Sequence, residues 1–215
     1  MQSNSLAQKA YQEIRKKIIF GDHLPGDVLS ENVLSKELEM SRTPIRDALR
    51  RVESEGFIVT LKNRGILVRE ISHKEIFDIM TLNNCMMIYA ANLALNGVAS
   101  FDLNKLHLHL EQQMKASEDN DYIENVKQSN LFGRCMIEIT NNQTMLEVYD
   151  SLRDKYLRSA IINWKLSPQE KHYSSVQRNS QIYDVIVSKE YEKIQTILMD
   201  HAQSTRERYI TRGII

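Results

Sequence analysis

The sequence has few of the residues that interrupt helices or cross-link a chain. Its 215 residues include only 7 glycines and 3 prolines, and most of these precede residue 66. The later part of the chain therefore has few helix breakers and is predicted to be almost wholly helical. The two cysteines, Cys85 and Cys135, form no C-x-x-C pair, so reduced thiols are expected rather than a disulfide framework.

Net charge and long apolar runs are also lacking. The 28 Lys and Arg residues balance 28 Asp and Glu residues, so any field that attracts a nucleic acid must be local. No stretch of about 18 apolar residues occurs, and the first residues contain no apolar signal core. These absences argue against a membrane span or a secretory leader and favour a cytoplasmic protein.

Residues 41–56 are predicted to form a helix with two opposed faces. Apolar residues recur at helical spacing along one face, at Ile45, Ala48, Leu49 and Val52. Arginines recur every four residues along another face, at Arg42, Arg46 and Arg50. Ser41 is a candidate N-cap, and Gly56 can adopt the positive φ that ends many helices. Such a helix suits a DNA major groove, although an ordinary solvated charged face has the same pattern.

Two further helices are predicted before the arginine helix, at about residues 6–20 and 31–39. In the second of them, three apolar residues are expected to pack inward, namely Val33, Leu34 and Leu38. A tight connection at Met40–Ser41 leads from this helix into the arginine helix. Two short helices joined by a tight turn, with the basic face on the second, predict a helix-turn-helix.

A β-hairpin is predicted directly after the arginine helix. Residues 57–61 and 66–71 are rich in β-branched residues, and the turn between them contains Asn63 and Gly65. The turn also carries Lys62 and Arg64, which can reach a phosphate or the minor groove, although a simple surface hairpin is equally compatible with these two residues. Helix, turn, basic helix and basic-tipped hairpin in this order predict a winged DNA-binding domain over residues 1–72.

These motifs resemble the GntR family of bacterial transcription factors. The matching segments are Leu24-Pro25-Gly26, Leu29-Ser30-Glu31, Ser41-Arg42-Thr43-Pro44-Ile45-Arg46-Asp47-Ala48-Leu49-Arg50, Glu55-Gly56, Asn63-Arg64-Gly65 and Val68-Arg69. The resemblance covers roughly residues 5–72. It implies a homodimer on a palindromic double-stranded operator, with five residues near the DNA: Arg42, Thr43, Arg46, Arg50 and Gly65.

The second part, residues 73–215, predicts six helices and no strand, arranged as an antiparallel bundle. The helices are expected at about residues 73–96, 100–117, 121–140, 143–164, 168–187 and 191–212. On the first, the buried positions should include Ile76, Met80, Met87, Ala91 and Ala94. On the second, the buried stripe should comprise Leu103, Leu106, Leu110 and Met114.

This bundle is similar to the effector-binding and dimerisation domain, called FCD, of the FadR branch of the family. Six helices rather than seven indicate the shorter, VanR-like subgroup. Many proteins of this branch hold a divalent metal with one Asp and three His. At the positions that match those ligands, this sequence has Ser129, Gly133, Asn179 and His201. One ligand of four is not a metal site, so no metal cofactor is expected.

The substituted positions predict a polar and weakly charged effector pocket. Its expected lining comprises Asn83, Met87, Ser129, Gly133, Asn179, Tyr183 and His201. A small-molecule metabolite other than a metal-chelated carboxylate is the expected effector. The alternative is a filled core in which these residues satisfy one another and no ligand binds.

The sequence as a whole predicts a ligand-responsive transcriptional repressor rather than an enzyme. Two alternatives remain at this point: a winged helix used for protein contacts, and a helical metal-dependent enzyme with an incidental winged helix. The lack of metal ligands and of any Ser/His/Asp or Cys/His arrangement argues against the enzyme.

Overall fold

The fold, taken from a computed structural model that describes residues 5–62, 65–166 and 173–211, is mostly helical with one small sheet, as predicted. The chain divides into two compact units, Met1–Ser72 and His73–Ile215. No helix of the described ranges is both long and apolar enough to cross a bilayer.

The first unit is a winged helix-turn-helix. Its elements, in chain order, are α1 (Leu6–Ile19), β1 (Val28–Leu29), α2 (Glu31–Glu37), α3 (Arg42–Ser54), β2 (Ile58–Leu61) and β3 (Gly65–Val68). The strands form an antiparallel sheet in the order β1-β3-β2, with Val28 paired to Leu67 and Ile58 paired to Val68. The predicted hairpin is therefore present, and its second strand is the central strand of the sheet.

The core of this unit lies between α1 and α3. The four apolar residues predicted for α3 are all buried, and so are Ile14 and Ile18 of α1. Val33 was predicted to pack inward and is instead 62% exposed, because α2 spans only seven residues and buries Leu34 alone. Two turns of helix offer a narrow face to the core, so neighbouring apolar residues cannot both reach it.

The ends of α3 match the sequence prediction only in part. Gly56 follows the helix with a φ of +83°, as expected for a residue that reverses the chain. Ser41 occupies the N-cap position with extended backbone angles, but its side chain makes no capping hydrogen bond. The prediction that Ser41 caps through its hydroxyl was therefore wrong.

The second unit contains six helices within the described residues, the number predicted. They are α4 (His73–Leu95), α5 (Leu103–Glu118), α6 (Tyr122–Glu138), α7 (Gln143–Leu166), α8 (Ser174–Val187) and α9 (Lys193–Thr211). The predicted start of the fifth helix at Pro168 lies outside the described residues. Every core position predicted for α4 is buried.

The buried stripe of α5 differs from the prediction. Leu106 and Leu110 are buried as expected, but Leu103 and Met114 are 41% and 43% exposed. Gln113 occupies the inward position instead and is fully buried. Its side chain is accepted there because it is hydrogen bonded on both sides, to Ser175 and Asn179. A polar group therefore lies inside the bundle, beside the candidate effector residues.

Candidate DNA-binding surface and effector site

Helix α3 presents a basic surface opposite its buried face. Arg42, Thr43, Arg46 and Arg50 are all exposed. Contacts with α1 fix how α3 is turned: Glu55, at the end of α3, accepts hydrogen bonds from Tyr11 and from Arg15 Nε, the latter at 2.6 Å. The Arg51 guanidinium lies 3.8 Å from the centre of the Tyr11 ring, so this fourth arginine belongs to the α1 interface.

Arg46 is held by α2. Its Nε and Nη2 atoms donate to the two carboxylate oxygens of Glu31, at 3.0 Å and 2.8 Å. This bidentate pair lowers the pKa of Glu31, chiefly through the hydrogen bond from Arg46. The Arg46 side chain remains 52% exposed, so the outer edge of its guanidinium can still reach another group. The sequence did not indicate this pairing, since the two residues are 15 positions apart.

Arg42 and Arg50 are held more loosely. Arg50 Nη1 lies 3.8 Å from Asp47 Oδ1, an exposed pair within α3 that contributes little to stability. No hydrogen bond or ion pair joins Arg42 to any other described residue. These two arginines can therefore reorient toward phosphates at little cost.

The hairpin that follows is placed as a wing. Lys62 is exposed at its tip, whereas Asn63 and Arg64 lie outside the described residues. Gly65 has a φ of +90°, and a Cβ atom there would lie 2.8 Å from Cγ1 of Val28. Only glycine fits this close approach of β3 to β1, so Gly65 also has a structural role.

In the second unit, two of the predicted effector residues, Ser129 and Asn179, lie in one buried hydrogen-bond network. Asn179 is fully buried and donates from Nδ2 to Gln113 Oε1 at 2.8 Å and to Ser129 Oγ at 3.3 Å. Arg178 Nη2 donates to the same Ser129 Oγ at 3.0 Å, and Arg178 Nε donates to Asn179 Oδ1 at 3.0 Å. Ser129 and Asn179 therefore satisfy each other, and the described contacts use two of the five N–H donors of Arg178.

Arg178 was missed by the sequence analysis, which predicted a weakly charged pocket. Burial lowers the pKa of its guanidinium, and Tyr156 and Tyr149 on α7 partly offset this effect. The only sequence signal is its position next to Asn179, because arginine is usually exposed and periodicity does not place it inside a bundle.

A second cluster lies on α8 and α9. Ser174 Oγ accepts a hydrogen bond from Arg208 Nη2 at 3.0 Å and lies 3.4 Å from His201 Nε2. Burial, together with the positive charges of Arg178 and Arg208, lowers the pKa of His201 to about 3, and burial is the largest of these causes. His201 is therefore neutral at physiological pH and lies within electrostatic reach of both guanidinium groups.

Gly133 marks a close contact between α6 and α7. A Cβ atom at this position would lie 2.6 Å from the hydroxyl oxygen of Tyr149 and 3.7 Å from the sulfur of Met87. Tyr149 is buried, and its hydroxyl donates to the backbone carbonyl of Asn130 at 2.9 Å. The volume that the missing side chain leaves at Gly133 is therefore occupied by Tyr149.

The two remaining predicted pocket residues lie apart from the hydrogen-bond network. Tyr183 packs its ring on His107 of α5, with 5.4 Å between ring centres, and on the hydrophobic core. Asn83 is one helical turn from Met87 on the same side of α4, and its buried Oδ1 has no hydrogen-bond partner among the described residues.

The residues at the matching positions do not fit a divalent metal. Within the described ranges, no group of three or more His, Cys, Asp and Glu side chains is placed to hold a metal ion. The side chains of Ser129 and Asn179 are engaged with each other and with Arg178, and two guanidinium groups influence His201. The positive charge of two guanidinium groups that act on His201 disfavours binding of a cation there.

Two protein-family models match this chain. The model described as bacterial regulatory proteins, gntR family, matches residues 6–68, and the FCD domain model matches residues 87–204. The chain belongs to the GntR family, in the branch with an FCD domain. The resemblance to the GntR family and to its FCD-containing branch is thereby confirmed.

Relatives of this GntR-family protein are named as regulators. The Nta operon transcriptional regulator of Aminobacter aminovorans is 24% identical over 193 residues, which cover 89% of each chain. The gluconate operon transcriptional repressor of Bacillus licheniformis is 28% identical over 175 residues, which cover 80% of this chain and 71% of the repressor. The Escherichia coli structure of McbR/YncC shares the fold, with a TM-score of 0.74 at 19% identity, over 97% and 99% of the two chains.

This GntR-family protein is a ligand-responsive, DNA-binding transcriptional regulator rather than an enzyme. The α3 surface and the bundle interior differ in how compactly their residues are spaced along the sequence. A recognition helix has a compact motif, whereas the interior site is assembled from residues on α5, α6, α8 and α9 that are far apart in sequence.

Proposed function

We propose that this protein is a cytoplasmic repressor that binds a palindromic operator as a homodimer and responds to a small metabolite. The observation that carries the proposal is the exposed arginine face of α3, backed by a fully buried apolar face and followed by a wing. The unit Met1–Ser72 would bind DNA, and the unit His73–Ile215 would bind the effector and dimerise. The name of the Bacillus licheniformis relative supports repression as the sign of regulation.

The proposed mechanism couples two equilibria. In a dimer, the two α3 helices must lie about 34–36 Å apart to read successive major grooves on one side of the duplex. An effector that prefers one packing of the helical unit shifts the population with that spacing. By linkage, the operator must change effector affinity by the same factor.

We assign base-reading and phosphate-contacting roles to the α3 arginines from how tightly each side chain is held. Arg46, which Glu31 holds in one orientation, suits a guanine edge, whereas the loosely held Arg42 and Arg50 suit phosphates. The proposed surface also includes Thr43, Lys62, Arg64 and Gly65.

The helical unit has six helices rather than seven among the described residues, which favours assignment of the protein to the VanR-like subgroup.

The test is a salt series of binding measurements on DNA from upstream of the protein's own gene. Wild type should bind this DNA more tightly than a scrambled duplex, with affinity falling steeply as salt rises. Arg42→Ala should weaken binding to both duplexes and reduce the salt slope by about 1. The matched control is Arg206→Ala, which removes an exposed arginine of α9 and should leave both measurements unchanged. Equal affinity of the wild type for both duplexes at every salt concentration would contradict operator recognition and favour a protein-contact role for the wing.

Two further measurements test the assembly and the cofactor. Sedimentation of the protein with a single operator duplex should give two chains per duplex, and one chain per duplex would refute the dimer. Treatment with a metal chelator should leave the melting temperature unchanged if the helical unit needs no metal, because a metal bound only to the folded state would stabilise it. A large fall in melting temperature would instead establish a bound metal.

A further inference from the structure

We propose that Arg178, Arg208 and His201 form an oxyanion site in the helical unit, which binds the carboxylate or phosphate group of a small molecule directly, without a metal ion. The inference rests on the proposed function only in calling this small molecule the effector. Binding of the anion itself requires no DNA and no operator sequence.

The first argument is uncompensated charge. Among the described residues, neither guanidinium has a carboxylate partner: Arg178 donates to Ser129 and Asn179, and Arg208 donates to Ser174 and Thr205. These partners are neutral side chains. By contrast, Arg134 on the same bundle is paired with both Asp150 and Glu138. Positive charge in a partly buried place is costly unless a counter-charge accompanies it, and a bound anion would supply that counter-charge.

The second argument is convergence. Ser174 and Arg178 lie one turn apart on α8, and His201 and Arg208 lie two turns apart on α9, so each pair shares a helix face. Ser174 joins the two helices, since its hydroxyl oxygen contacts both Arg208 and His201. Arg178 and Arg208 are also the two charges that act on His201. Arg208 and the imidazole of His201 therefore meet at Ser174, and Arg178 lies one turn along the same face of α8.

The third argument is preorganisation. Asn179 is fixed by its bonds to Gln113 and Ser129, and it receives Arg178 Nε at 3.0 Å. The guanidinium is thereby held in one orientation by a fully buried amide. The described contacts use two of its five N–H donors, and the others are available to a ligand. A donor fork that is already oriented loses little entropy when it binds a carboxylate or phosphate.

The experiment measures anion binding to the full-length, chelator-treated protein by calorimetry and thermal shift. The probes are inorganic phosphate and the carboxylates acetate, succinate and citrate, each compared with chloride at equal ionic strength. At least one oxyanion should raise the melting temperature of the wild type above the chloride value. The phosphate and carboxylate arms distinguish the two sources of the oxyanion.

Two variants connect that response to the site. Arg178→Gln should bind the same probe about 10- to 100-fold more weakly, the loss expected for one charge-assisted hydrogen-bond pair. Arg178→Lys should retain part of the affinity, since it keeps the charge but loses the fork. The matched control is Arg153→Gln, which removes an arginine of the same unit that is already paired with Asp154, and it should bind like the wild type.

Three outcomes would overturn the proposal. One is a wild type that no oxyanion stabilises more than chloride does. Another is an Arg178→Gln protein that folds and binds the probe like the wild type. The third is a response that chelator abolishes and a divalent metal restores.

A DNA-binding readout separates this proposal from the proposed function. Arg178→Gln should bind operator DNA like the wild type in chloride but lose the effect of the oxyanion on that binding. A protein that binds the oxyanion through Arg178 and binds no DNA would retain the site and refute the operator-binding role. A protein that binds operator DNA but no oxyanion would support the operator-binding role and refute the oxyanion site.

Discussion

At the scale of single residues, the pairing of Arg46 with Glu31 bears most directly on DNA recognition. A guanidinium held by two hydrogen bonds presents its outer edge in one direction, whereas an unpaired arginine samples many rotamers. The acidic partner also repels phosphates. Glu31 should therefore raise the ratio of specific to non-specific binding rather than raise affinity in general.

The prediction is that Glu31→Gln lowers the ratio of specific to non-specific DNA binding by changing both affinities. Non-specific affinity should rise because a negative charge is removed near the DNA backbone, and operator affinity should fall because Arg46 loses its orientation. Arg46→Ala should cost about 1–3 kcal/mol of operator binding if Arg46 reads a guanine. Competition assays with operator and scrambled duplexes measure the ratio directly.

Glu39→Gln is the control for charge alone, since Glu39 is an exposed acid that follows α2. An unchanged specificity ratio in Glu31→Gln, or an equal change in Glu39→Gln, would contradict a role for Glu31 in orienting Arg46.

His201 gives a prediction about acid stability. Its pKa is about 3 in the folded protein and near 6.5 in an unfolded chain, so between these values the unfolded state binds a proton that the folded state does not. The free energy of unfolding should therefore fall as pH drops below about 6.5, by on the order of 1 kcal/mol per pH unit from this group. Denaturant titrations of the wild type and of His201→Gln in chloride should show a weaker pH dependence in the variant.

His107→Gln serves as the comparison, because His107 is an exposed histidine of the same unit, paired with Glu111 on α5. A parallel pH dependence of wild type and His201→Gln would contradict the burial of a neutral His201. Adding a bound oxyanion should reduce the loss at low pH, since a nearby negative charge favours the protonated imidazole.

At the scale of helices and strands, the contact between α6 and α7 at Gly133 can be tested by adding one methyl group. Gly133→Ala gains about 1 kcal/mol of helix propensity, but its Cβ would lie 2.6 Å from a buried, hydrogen-bonded hydroxyl. Overpacking of this kind typically costs about 1–3 kcal/mol. The expected result is a net loss of stability, measured by denaturant unfolding.

Tyr149→Phe provides the matched background, since it removes the oxygen that the new methyl group would meet. In that background Gly133→Ala should be neutral or stabilising. A stable Gly133→Ala protein with an intact Tyr149 would show that α7 moves away easily.

Helix order and most core positions follow from periodicity, because a repeating apolar face must be buried somewhere. The apolar residues that were predicted to be buried but are exposed share one cause. Periodicity in one helix does not indicate how wide a face of that helix its neighbours cover. Val33 is exposed because α2 is short, and Met114 is exposed because Gln113 takes the inward position. A buried glutamine becomes favourable only when tertiary structure brings Asn179 and Ser175 to it.

At the scale of the whole molecule, every residue of the proposed oxyanion site lies in the unit His73–Ile215, and every residue of the α3 surface lies in Met1–Ser72. Each unit has its own buried core. Ligand and DNA should therefore stabilise different units directly, and any effect of one on the other reports the coupling between them.

Hydrogen exchange on the full-length protein should separate these effects. A stabilising oxyanion at about 100 times its Kd should add about 2.7 kcal/mol to the helical unit and slow exchange in α6, α8 and α9. Operator DNA should slow exchange in α3 and the wing instead. Uniform protection of both units by the oxyanion alone would indicate that they unfold together.

The division into two units could be predicted from the sequence, because the composition, the frequency of helix-breaking residues and the motifs all change near residue 72. The charge of the proposed oxyanion site could not be predicted, because Arg178 and Arg208 have the same sequence appearance as arginines on a solvated face. Their lack of carboxylate partners among the described residues is a property of the folded arrangement alone.

Arg178 and Arg208, which have no carboxylate partner among the described residues, also bear on how long the protein survives in a cell. A chain that folds against its own electrostatic repulsion opens more often, and proteases cut what is open. An anion bound beside those charges would stabilise the folded state and so lengthen the lifetime of each copy. The cellular abundance of the regulator, and not only its affinity for operator DNA, would then rise and fall with the concentration of its effector.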